Sequence, residues 1–442
     1  MLSGWGRFPR EDCVLRVPRS ETDLEALAAH AAAQGPLIAR GNGRGYGDCA
    51  MNRTGTVDMR RFNRILSFDG QSGILVAEAG VLLADVIEVF LPRGWFPSVT
   101  PGTKFVTLGG MVAADVHGKN HHKDGSFGRC VEWIDLLGAD GQARRCSRQE
   151  NAELFHWTIG GMGLTGIVLR LAFRLRPVES AWIRQHTLPA PNLETAMALF
   201  EEHAGAAYSV AWIDCLHGGK GLGRSSVVLG EHARLDELGP RRDAPFAAPR
   251  RRFRRVPFDA PQMALNSLTV RAFNALYYRR AAAQRGEALV GWDGFFYPLD
   301  ALLEWNRIYG KRGFAQFQCV IPLESAAAGL TALLRTISAS GQGSFLAVLK
   351  RMGGGGEGGI SFPLAGYTLA LDFPVNPRAL ALMERLDAIT IDHGGRFYLA
   401  KDSRMNPAIL RASDPRTRDF AALREKRGLT AFRSSLAERL NL

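Results

Sequence analysis

Short apolar runs separated by glycine-rich turns fill the first 175 residues. Residues 37–39 predict a strand that runs into a glycine loop, and RILSFDGQSGILVAEAG predicts two strands joined by a turn containing Asp-Gly. Apolar residues then recur at helical spacing in VLLADVIEVFLPRGW, and Pro92 and Gly94 predict where that helix ends. This mixture of strands and helices predicts an α+β fold.

The pattern changes near Trp182. NLETAMALFEEHA predicts a helix, and FAQFQCVIPL, GSFLAVLKRMG and GYTLALDFPV predict strands. Gln316 and Gln318 alternate with Phe317 and Cys319, which is typical of an antiparallel sheet with two different faces. The stretch from about residue 239 to 291 has no clear pattern, and GGGGEGG at 353–359 predicts a flexible tether between two strands.

Composition indicates an ordinary globular protein. A chain of 442 residues is long enough for two domains, and 46% hydrophobic with 22% charged residues excludes wholesale disorder. The six cysteines are scattered without a C-x-x-C pair, which indicates neither a zinc site nor a disulfide framework. No signal-peptide-like segment or long apolar run occurs, so we expect a cytoplasmic protein.

The charge indicates an anionic partner. The net charge is +12 and the pI is near 9.7, which suits nucleic acid, a phosphorylated substrate or an anionic membrane surface. No helix-turn-helix, zinc finger or RNP-like strand supports nucleic acid. The stretch PRRDAPFAAPRRRFRRV holds seven arginines and is either a solvated loop or a segment that meets phosphates or lipid headgroups.

Three glycine loops suggest a bound nucleotide. RGNGRGYGD at 40–48 lacks the G-x-G-x-x-G spacing and the following helix of a Rossmann fold, but its alternate glycines let backbone N–H groups surround an anion. A plain glycine turn is the alternative. With the loops TPGTKFVTLGG and TIGGMGLTGIV, it suits a long ligand that carries phosphates and a planar ring.

DVHGKNHHKDGSFG, residues 115–128, holds three histidines and two aspartates. Taken alone it is a metal site, a catalytic loop or a polar surface turn. Gly118 and Asn120 make a poor helix for ligands four residues apart, which disfavours a metal.

The motifs as a set resemble the FAD-linked oxidoreductases of the vanillyl-alcohol oxidase type. They run in order from about residue 40 to 404: RGNGRGYGD, PGTKFVTLGG, DVHGKNHHKDGSFG, DLLGADG, AELFHWTIGGMGLTGI, EWNRIYG, FAQFQCVIP, ISFP, LDFP and YLAKDSR. The resemblance implies a two-lobed PCMH-type FAD-binding domain at 1–180, an antiparallel-sheet substrate domain at 181–395 and a C-terminal segment at 396–442 that returns to the first domain.

The resemblance also implies a set of FAD-contacting residues. These are Ala39, Arg40, Gly41, Asn42, Gly43, Arg44, Gly45, Tyr46, Gly47, Asp48, Cys49, Gly102, Thr107, Leu108, Gly109, Gly110, Ala114, Asp115, Val116, His117, Ile167 and Tyr398. Many relatives tether FAD through a histidine in the first glycine loop. Because this loop carries Arg44 and no histidine, we expect FAD to be bound non-covalently.

Lys401 and His117 match the family's active-site positions, and we expect one of them to accept the hydroxyl proton. In this reading the rest of the histidine stretch is a turn that leads away from the flavin. The implied substrate residues are Trp212, Phe296, Gln316, Gln318, Lys350, Thr368, Ala370 and Lys401. Ala370, Phe296 and Thr368 stand where members from arabinan-building bacteria have cysteine, tyrosine and asparagine.

The resemblance is strongest to members that oxidise the 2'-hydroxyl of a polyprenylphosphoryl ribose, the first half of an epimerisation that yields an arabinose donor. It implies a separate NAD(P)H-dependent keto-reductase as partner, and the arginine-rich stretch favours peripheral contact with an anionic membrane at its inner face. The alternative is an oxidase of an aldonolactone, alditol or other small polyol on the same scaffold.

Overall fold

The computed structural model describes residues 1–249, 251–261 and 265–442; Arg250 of the arginine-rich stretch lies outside the described residues. The described residues form 21 strands and 14 α-helices. The strands are β1 (Leu2–Ser3), β2 (Arg10–Glu11), β3 (Leu15–Arg16), β4 (Ile38–Arg40), β5 (Thr56–Asp58), β6 (Ile65–Asp69), β7 (Ile74–Glu78), β8 (Trp95–Pro97), β9 (Val131–Leu137), β10 (Ala143–Ser147), β11 (Ile167–Pro177), β12 (Trp182–Ala190), β13 (Tyr208–Ile213), β14 (Ser225–His232), β15 (Arg254–Arg255), β16 (Gly286–Gly291), β17 (Leu302–Leu303), β18 (Phe314–Pro322), β19 (Ala347–Met352), β20 (Gly366–Pro374) and β21 (Arg396–Phe397). The helices are α1 (Glu21–Ala29), α2 (Ala31–Gln34), α3 (Leu83–Phe90), α4 (Leu108–Ala113), α5 (His121–Asp124), α6 (Ala152–Thr158), α7 (Leu193–Glu202), α8 (Ser267–Ala283), α9 (Trp292–Phe296), α10 (Leu323–Ser340), α11 (Pro377–Asp392), α12 (Pro407–Ser413), α13 (Arg416–Lys426) and α14 (Ser435–Leu440).

The first lobe is a small parallel sheet in the order β3-β5-β4, with α1 packed against it. Helix α1 begins at a capping box in which Ser20 and Asp23 bond each other's backbone N–H groups. The C-terminus closes this lobe, because Phe432 pairs with Leu37 as an isolated parallel bridge and lies in the same core. Part of the C-terminal segment thus packs against this lobe, and the assignment of residues 396–442 to the first domain stays a prediction.

The second lobe is an antiparallel sheet in the order β10-β9-β11-β7-β6, with β8 paired to β11. The hairpin β6-β7 and the helix α3 confirm the sequence predictions for this stretch. Leu83, Val86, Ile87 and Phe90 bury one face of α3 against the sheet. Each lobe therefore has its own hydrophobic core.

The largest sheet has eight antiparallel strands in the order β16-β12-β14-β13-β19-β20-β18-β21. Its apolar face, with Phe317 and Leu369, packs in one core with residues of α7, α10 and α11. The predicted α+β class with an antiparallel second sheet is confirmed. This sheet draws its strands from residue 182 onward and includes β21 (Arg396–Phe397), and the domain boundaries at 180/181 and 395/396 stay predictions.

Two stretches differ from their sequence predictions. Part of the region without clear pattern forms the 17-residue helix α8, which its apolar residues did not reveal because they are spread around the whole helix. The glycine-rich segment at 353–359 is not a free tether. Its Gly358 and Gly359 are buried, and the Glu357 N–H bonds the Asp115 carboxylate, so the segment packs against the first domain.

In the described ranges 1–249, 251–261 and 265–442, every helix is too short or too polar to span a bilayer.

Candidate functional site

The first glycine loop offers free backbone donors. None of the N–H groups of residues 41–45 bonds another described residue, although all five residues are half-buried. The side-chain amide of Asn42 donates to the carbonyl of Phe105 at 2.8 Å and so ties this loop to the second one. Five consecutive unpaired N–H groups form a cradle that suits a pyrophosphate, which is the part of FAD that such a loop would hold.

The end of this loop is fixed by structural contacts. A Cβ on Gly47 would lie 2.0 Å from the carbonyl oxygen of Asp402, so only glycine fits there. Asp48 accepts two hydrogen bonds from Arg439, at 2.9 and 2.7 Å, and Arg439 also bonds Asp402 at 2.8 Å. Asp48 therefore holds the loop to the C-terminal segment, and Cys49 is buried beside it.

The two arginines of the first glycine loop, Arg40 and Arg44, have different surroundings. Arg40 donates to the carbonyl of Ser3 at 2.7 Å and anchors the N-terminus. The guanidinium of Arg44 lies 4.1 Å above the Trp5 ring and 5.1 Å from that of Phe105, and its buried Nε has no partner among the described residues. Arg44 is thus the arginine of this loop that is poised to meet an anionic ligand.

In the second glycine loop, TPGTKFVTLGG, the exposed residues are glycines, so a ligand there would meet mainly backbone. Thr107 caps α4 by accepting the Gly110 N–H at 3.3 Å, and Gly102 and Gly110 are exposed. Leu108 is fully buried in the core of the second lobe, and Ile167 is fully buried in that of the first. For Leu108 and Ile167 the structure shows packing roles, and their contact with FAD stays a prediction.

The carboxylate of Asp115 fixes the conformation of the histidine stretch through hydrogen bonds. Asp115 takes a left-handed φ of 39° and accepts hydrogen bonds from Ser126 Oγ at 2.7 Å, the Gly128 N–H at 2.8 Å and the Glu357 N–H at 3.3 Å. The bond from Glu357 connects the first domain to the glycine-rich segment between β19 and β20. The neighbouring Ala114 carbonyl accepts from the Tyr398 hydroxyl at 3.0 Å.

His117 lies at the junction of the two domains with only 5% of its surface exposed. Its Nε2 lies 3.3 Å from the side-chain nitrogen of Gln318, its Nδ1 has no partner among the described residues, and Phe362 and Tyr398 flank its ring. Burial, reinforced by the charge of Lys350, holds the pKa of His117 well below its ordinary value. The ring is therefore neutral near pH 7.

The rest of the histidine stretch does not lead away from the site, which corrects the sequence expectation. His121 is buried, meets His117 edge to face at 6.2 Å, and accepts the Gly353 N–H on Nδ1 at 3.1 Å. Burial lowers the pKa of His121 to about 3. His122 bonds the Ala206 carbonyl at 2.8 Å. In the described part of the chain, no three His, Cys, Asp or Glu side chains are grouped to hold a metal.

Lys401 sits in an aromatic and acidic setting. Its Nζ lies 3.4 Å from the centre of the Tyr46 ring. Burial lowers the pKa of Lys401, the carboxylate of Asp372 opposes that shift, and Lys350 adds to it. Burial likewise raises the pKa of Asp372, which accepts a hydrogen bond from Gln316 at 2.5 Å.

Asp372 was not among the predicted site residues. Its signal was present in the strand TLALDFP, because Asp372 stands two residues after Ala370 and therefore on the same face. The signal was weak, since the partner that makes Asp372 relevant, Lys401, lies outside that sheet.

The polar face of the large sheet gathers most of the predicted substrate residues. Gln316 pairs with Asp372, Gln318 with Ala370, and Lys350 with Thr368. Because cross-strand partners share a face, these side chains lie together. Gln318 donates to Thr368 Oγ1 at 3.3 Å, and burial lowers the pKa of Lys350 to about 8, so this lysine remains mostly charged at pH 7.

Trp212 borders the same face, whereas Phe296 packs in a cluster of aromatic rings. Trp212 pairs with Val348 on β19, and its indole N–H donates to the Phe345 carbonyl at 3.1 Å. Phe296 is buried in an aromatic core, 5.1 Å from Phe96 and 4.9 Å from Tyr208. These contacts give Phe296 a packing role, and its substrate contact stays a prediction.

Comparisons of the sequence with known proteins also indicate an FAD-binding protein. A family model described as an FAD binding domain matches residues 13–147. Decaprenylphosphoryl-beta-D-ribose oxidase of Mycolicibacterium smegmatis is 36% identical over 100% of this chain and 97% of its own length. An uncharacterized protein of Streptomyces coelicolor is 34% identical over 82% of this chain and 100% of its own. L-gulonolactone oxidase of Bos taurus is more distant, 28% identical over 39% of each chain.

Proposed function

Because the chain belongs to the family of FAD-linked, PCMH-type oxidases, we propose that it oxidises the 2'-hydroxyl of a polyprenylphosphoryl-β-D-ribose to the 2'-keto sugar. The observation that carries the proposal is the polar face of the large sheet. It places two amides, Gln316 and Gln318, and the cation of Lys350 beside His117 and Lys401. The name and full-length coverage of the Mycolicibacterium oxidase support the same substrate class.

The residues present fit FAD. The unpaired N–H groups of residues 41–45 and the unpartnered Nε of Arg44 are donors for its phosphates, and nearby Tyr398 joins the C-terminal segment to Ala114 of the first domain. When bound, FAD supplies the acceptor for the hydride that leaves the substrate carbon.

Lys401 is our candidate for the group that takes the hydroxyl proton. Its lowered pKa leaves more of the neutral amine near pH 7 than an ordinary lysine has, and only the neutral amine accepts a proton. His117 is the less suited base, because an amide N–H of Gln318 points at its Nε2 at 3.3 Å. His117 would instead orient the substrate.

Lys350 and the two glutamines would bind the substrate without taking part in proton transfer. The charged amine of Lys350 suits a phosphate, which a free polyol lacks, and the amides of Gln316 and Gln318 suit sugar hydroxyls. Ala370 gives this face no thiol, so inhibitors that react with a cysteine at that position have no covalent target here.

The product fixes the class of partner that must follow. A 2'-keto sugar becomes the arabinose epimer only when a second enzyme returns a hydride to the opposite face, so we propose a separate NAD(P)H-dependent keto-reductase.

Anaerobic reduction of the flavin tests the substrate class. We expect polyprenylphosphoryl ribose to bleach the absorbance near 450 nm, while an aldonolactone or an alditol at equal concentration leaves it unchanged. A Lys350→Met variant should mainly lose affinity for the phosphorylated sugar, because it removes the positive charge that we expect to bind the phosphate. Bleaching by the small polyols alone would reject the proposal and favour an oxidase of small polyols.

A further inference from the structure

The apolar side chains that this protein exposes are concentrated in one region. Of the twelve large apolar side chains exposed by the described residues, six lie between positions 253 and 277. They are Phe253, Phe258, Leu268, Phe273, Leu276 and Tyr277, and we call them the apolar patch. Leu268 is 76% exposed and Leu276 is 69% exposed. Exposed apolar side chains concentrated on one stretch of chain are candidates for contact with a partner.

The same region carries most of the charge. Residues 241–285 contain eleven arginines, two aspartates and neither lysine nor glutamate, which gives a net charge of +9 out of +12 for the whole chain. One of the two aspartates, Asp259, is already paired with Arg7. Arg279 and Arg280 are exposed and form no ion pair with any other described residue. These two arginines are therefore available to an anionic partner.

Helix α8 presents these residues on its outer side. Val270 and Asn274 form its buried side, where Asn274 donates to Asp214 at 2.8 Å. Leu268 and Leu276 lie eight residues apart on the opposite side, with Arg279 and Arg280 on the next turn. Although the apolar residues of α8 do not form a stripe along the whole helix, the two exposed leucines next to exposed arginines allow this side to meet acyl chains and lipid phosphates together.

The patch borders the candidate site. The Tyr277 ring lies 4.6 Å from that of Trp212, and the Phe273 ring lies 5.7 Å from that of Phe345. Trp212 and Phe345 are joined by the indole hydrogen bond at the end of the substrate face. On the side of the glycine loops, Phe253 meets Phe105, the residue whose carbonyl holds Asn42. A partner that binds the apolar patch would therefore lie next to the candidate site.

We propose that the apolar patch and helix α8 dock on an anionic lipid bilayer, with Leu268 and Leu276 among the acyl chains and Arg279 and Arg280 at the lipid phosphates. A second copy of this chain is disfavoured, because an interface between two such regions would bring two charges of +9 together. The inference extends the proposed function to the place where the enzyme meets a substrate whose polyprenyl tail stays in a membrane.

Vesicle flotation tests the proposal on the full-length, FAD-loaded protein without substrate. We expect the protein to float with vesicles of phosphatidylcholine containing about one third phosphatidylglycerol, and much less with phosphatidylcholine alone. The double variant Leu268→Glu/Leu276→Glu should lose binding at least about tenfold, since it removes two apolar contacts and adds two repelled charges. Arg279→Gln/Arg280→Gln should lose the preference for anionic vesicles.

The matched control is Leu15→Glu/Leu66→Glu, which makes the same chemical change at two leucines exposed on the FAD-binding domain. We expect it to bind like the wild type, and retained flavin absorbance shows that each variant is folded. The proposal is wrong if the α8 variant floats like the wild type, if the control is weakened equally, or if gel filtration shows a dimer that only the α8 variant dissociates. Since no substrate is present, a negative result leaves the flavin-bleaching test unaffected.

Discussion

Burial gives the two candidate bases, His117 and Lys401, different pH ranges. His117 is held neutral by its surroundings and its Nε2 already faces an amide of Gln318, whereas Lys401 keeps an amine whose pKa is lowered but still opposed by Asp372. A residue with a pKa matched to the working pH is the more effective base. The two candidates can therefore be separated by pH alone.

With Lys401 as the proton acceptor, kcat/KM should rise with pH across a range that lies below the ordinary lysine pKa of 10.5 and above that of His117. The sign follows because protonation removes the base. Lys401→Met should lower the rate of flavin reduction by at least about 10²-fold. A His117 base would place the rising limb well below pH 6.5 and leave it in place in the lysine variant.

Asp372 provides a second readout of the same prediction. Its carboxylate favours the charged lysine, so Asp372→Asn should lower the pKa of Lys401 further and move the rising limb to lower pH. Asparagine keeps an oxygen that can accept the hydrogen bond from Gln316. A purely structural role for Asp372 would change the rate without moving the limb.

At the scale of elements, the histidine stretch at 115–128 and the glycine-rich segment at 353–359 connect the two domains. The Asp115 carboxylate bonds the Glu357 N–H, and His121 bonds the Gly353 N–H. The glycine-rich segment between β19 and β20 must therefore approach the first domain very closely. A Cβ on Gly358 would lie 1.7 Å from the carbonyl oxygen of Ile159.

Gly358→Ala should destabilise the protein by about 2 kcal/mol, because the added methyl group must displace packed backbone. Gly354→Ala is the matched control in the same segment, where an added Cβ would meet no atom within 4 Å. We expect it to change stability by less than about 0.5 kcal/mol. Urea unfolding of the FAD-loaded proteins measures both, and equal effects would show that this segment is loosely packed.

At the scale of the whole molecule, one FAD-binding domain and one large sheet enclose the site from opposite sides. Direct ion pairs also link distant parts of the chain, such as Lys104 with Asp293 at 2.5 Å. In the proposed function, the glycine loops would meet the cofactor through backbone donors, and the sheet would meet the substrate through side chains. Many weak contacts of this kind can hold a cofactor without a covalent bond, and non-covalent FAD stays our prediction.

Acid precipitation tests this expectation for FAD. The first glycine loop has Arg44 and no histidine, so the yellow colour should pass into the supernatant when the protein is precipitated. A pellet that stays yellow after washing would show a covalent link.

Much of the fold was evident from local sequence. The hairpin β6-β7, the helix α3 and the strands β18 and β20 follow from hydrophobic periodicity and turn residues, which act over a few neighbours. The same periodicity placed Gln316 and Gln318 on one face, and the alternate glycines indicated the anion cradle. Helix α8 was missed because its apolar residues do not follow a helical stripe, many of them being exposed.

The sequence by itself therefore determined the elements with a clear apolar period, the glycine loops and the chemical types of the candidate site residues. Only the tertiary structure decided which polar residues lie together and which are buried. Asp48 bonds Arg439, 391 positions away, and Lys401 is set against Asp372 and Tyr46 by segments from three parts of the chain. Burial and pKa depend on such distant neighbours, and no local pattern records them.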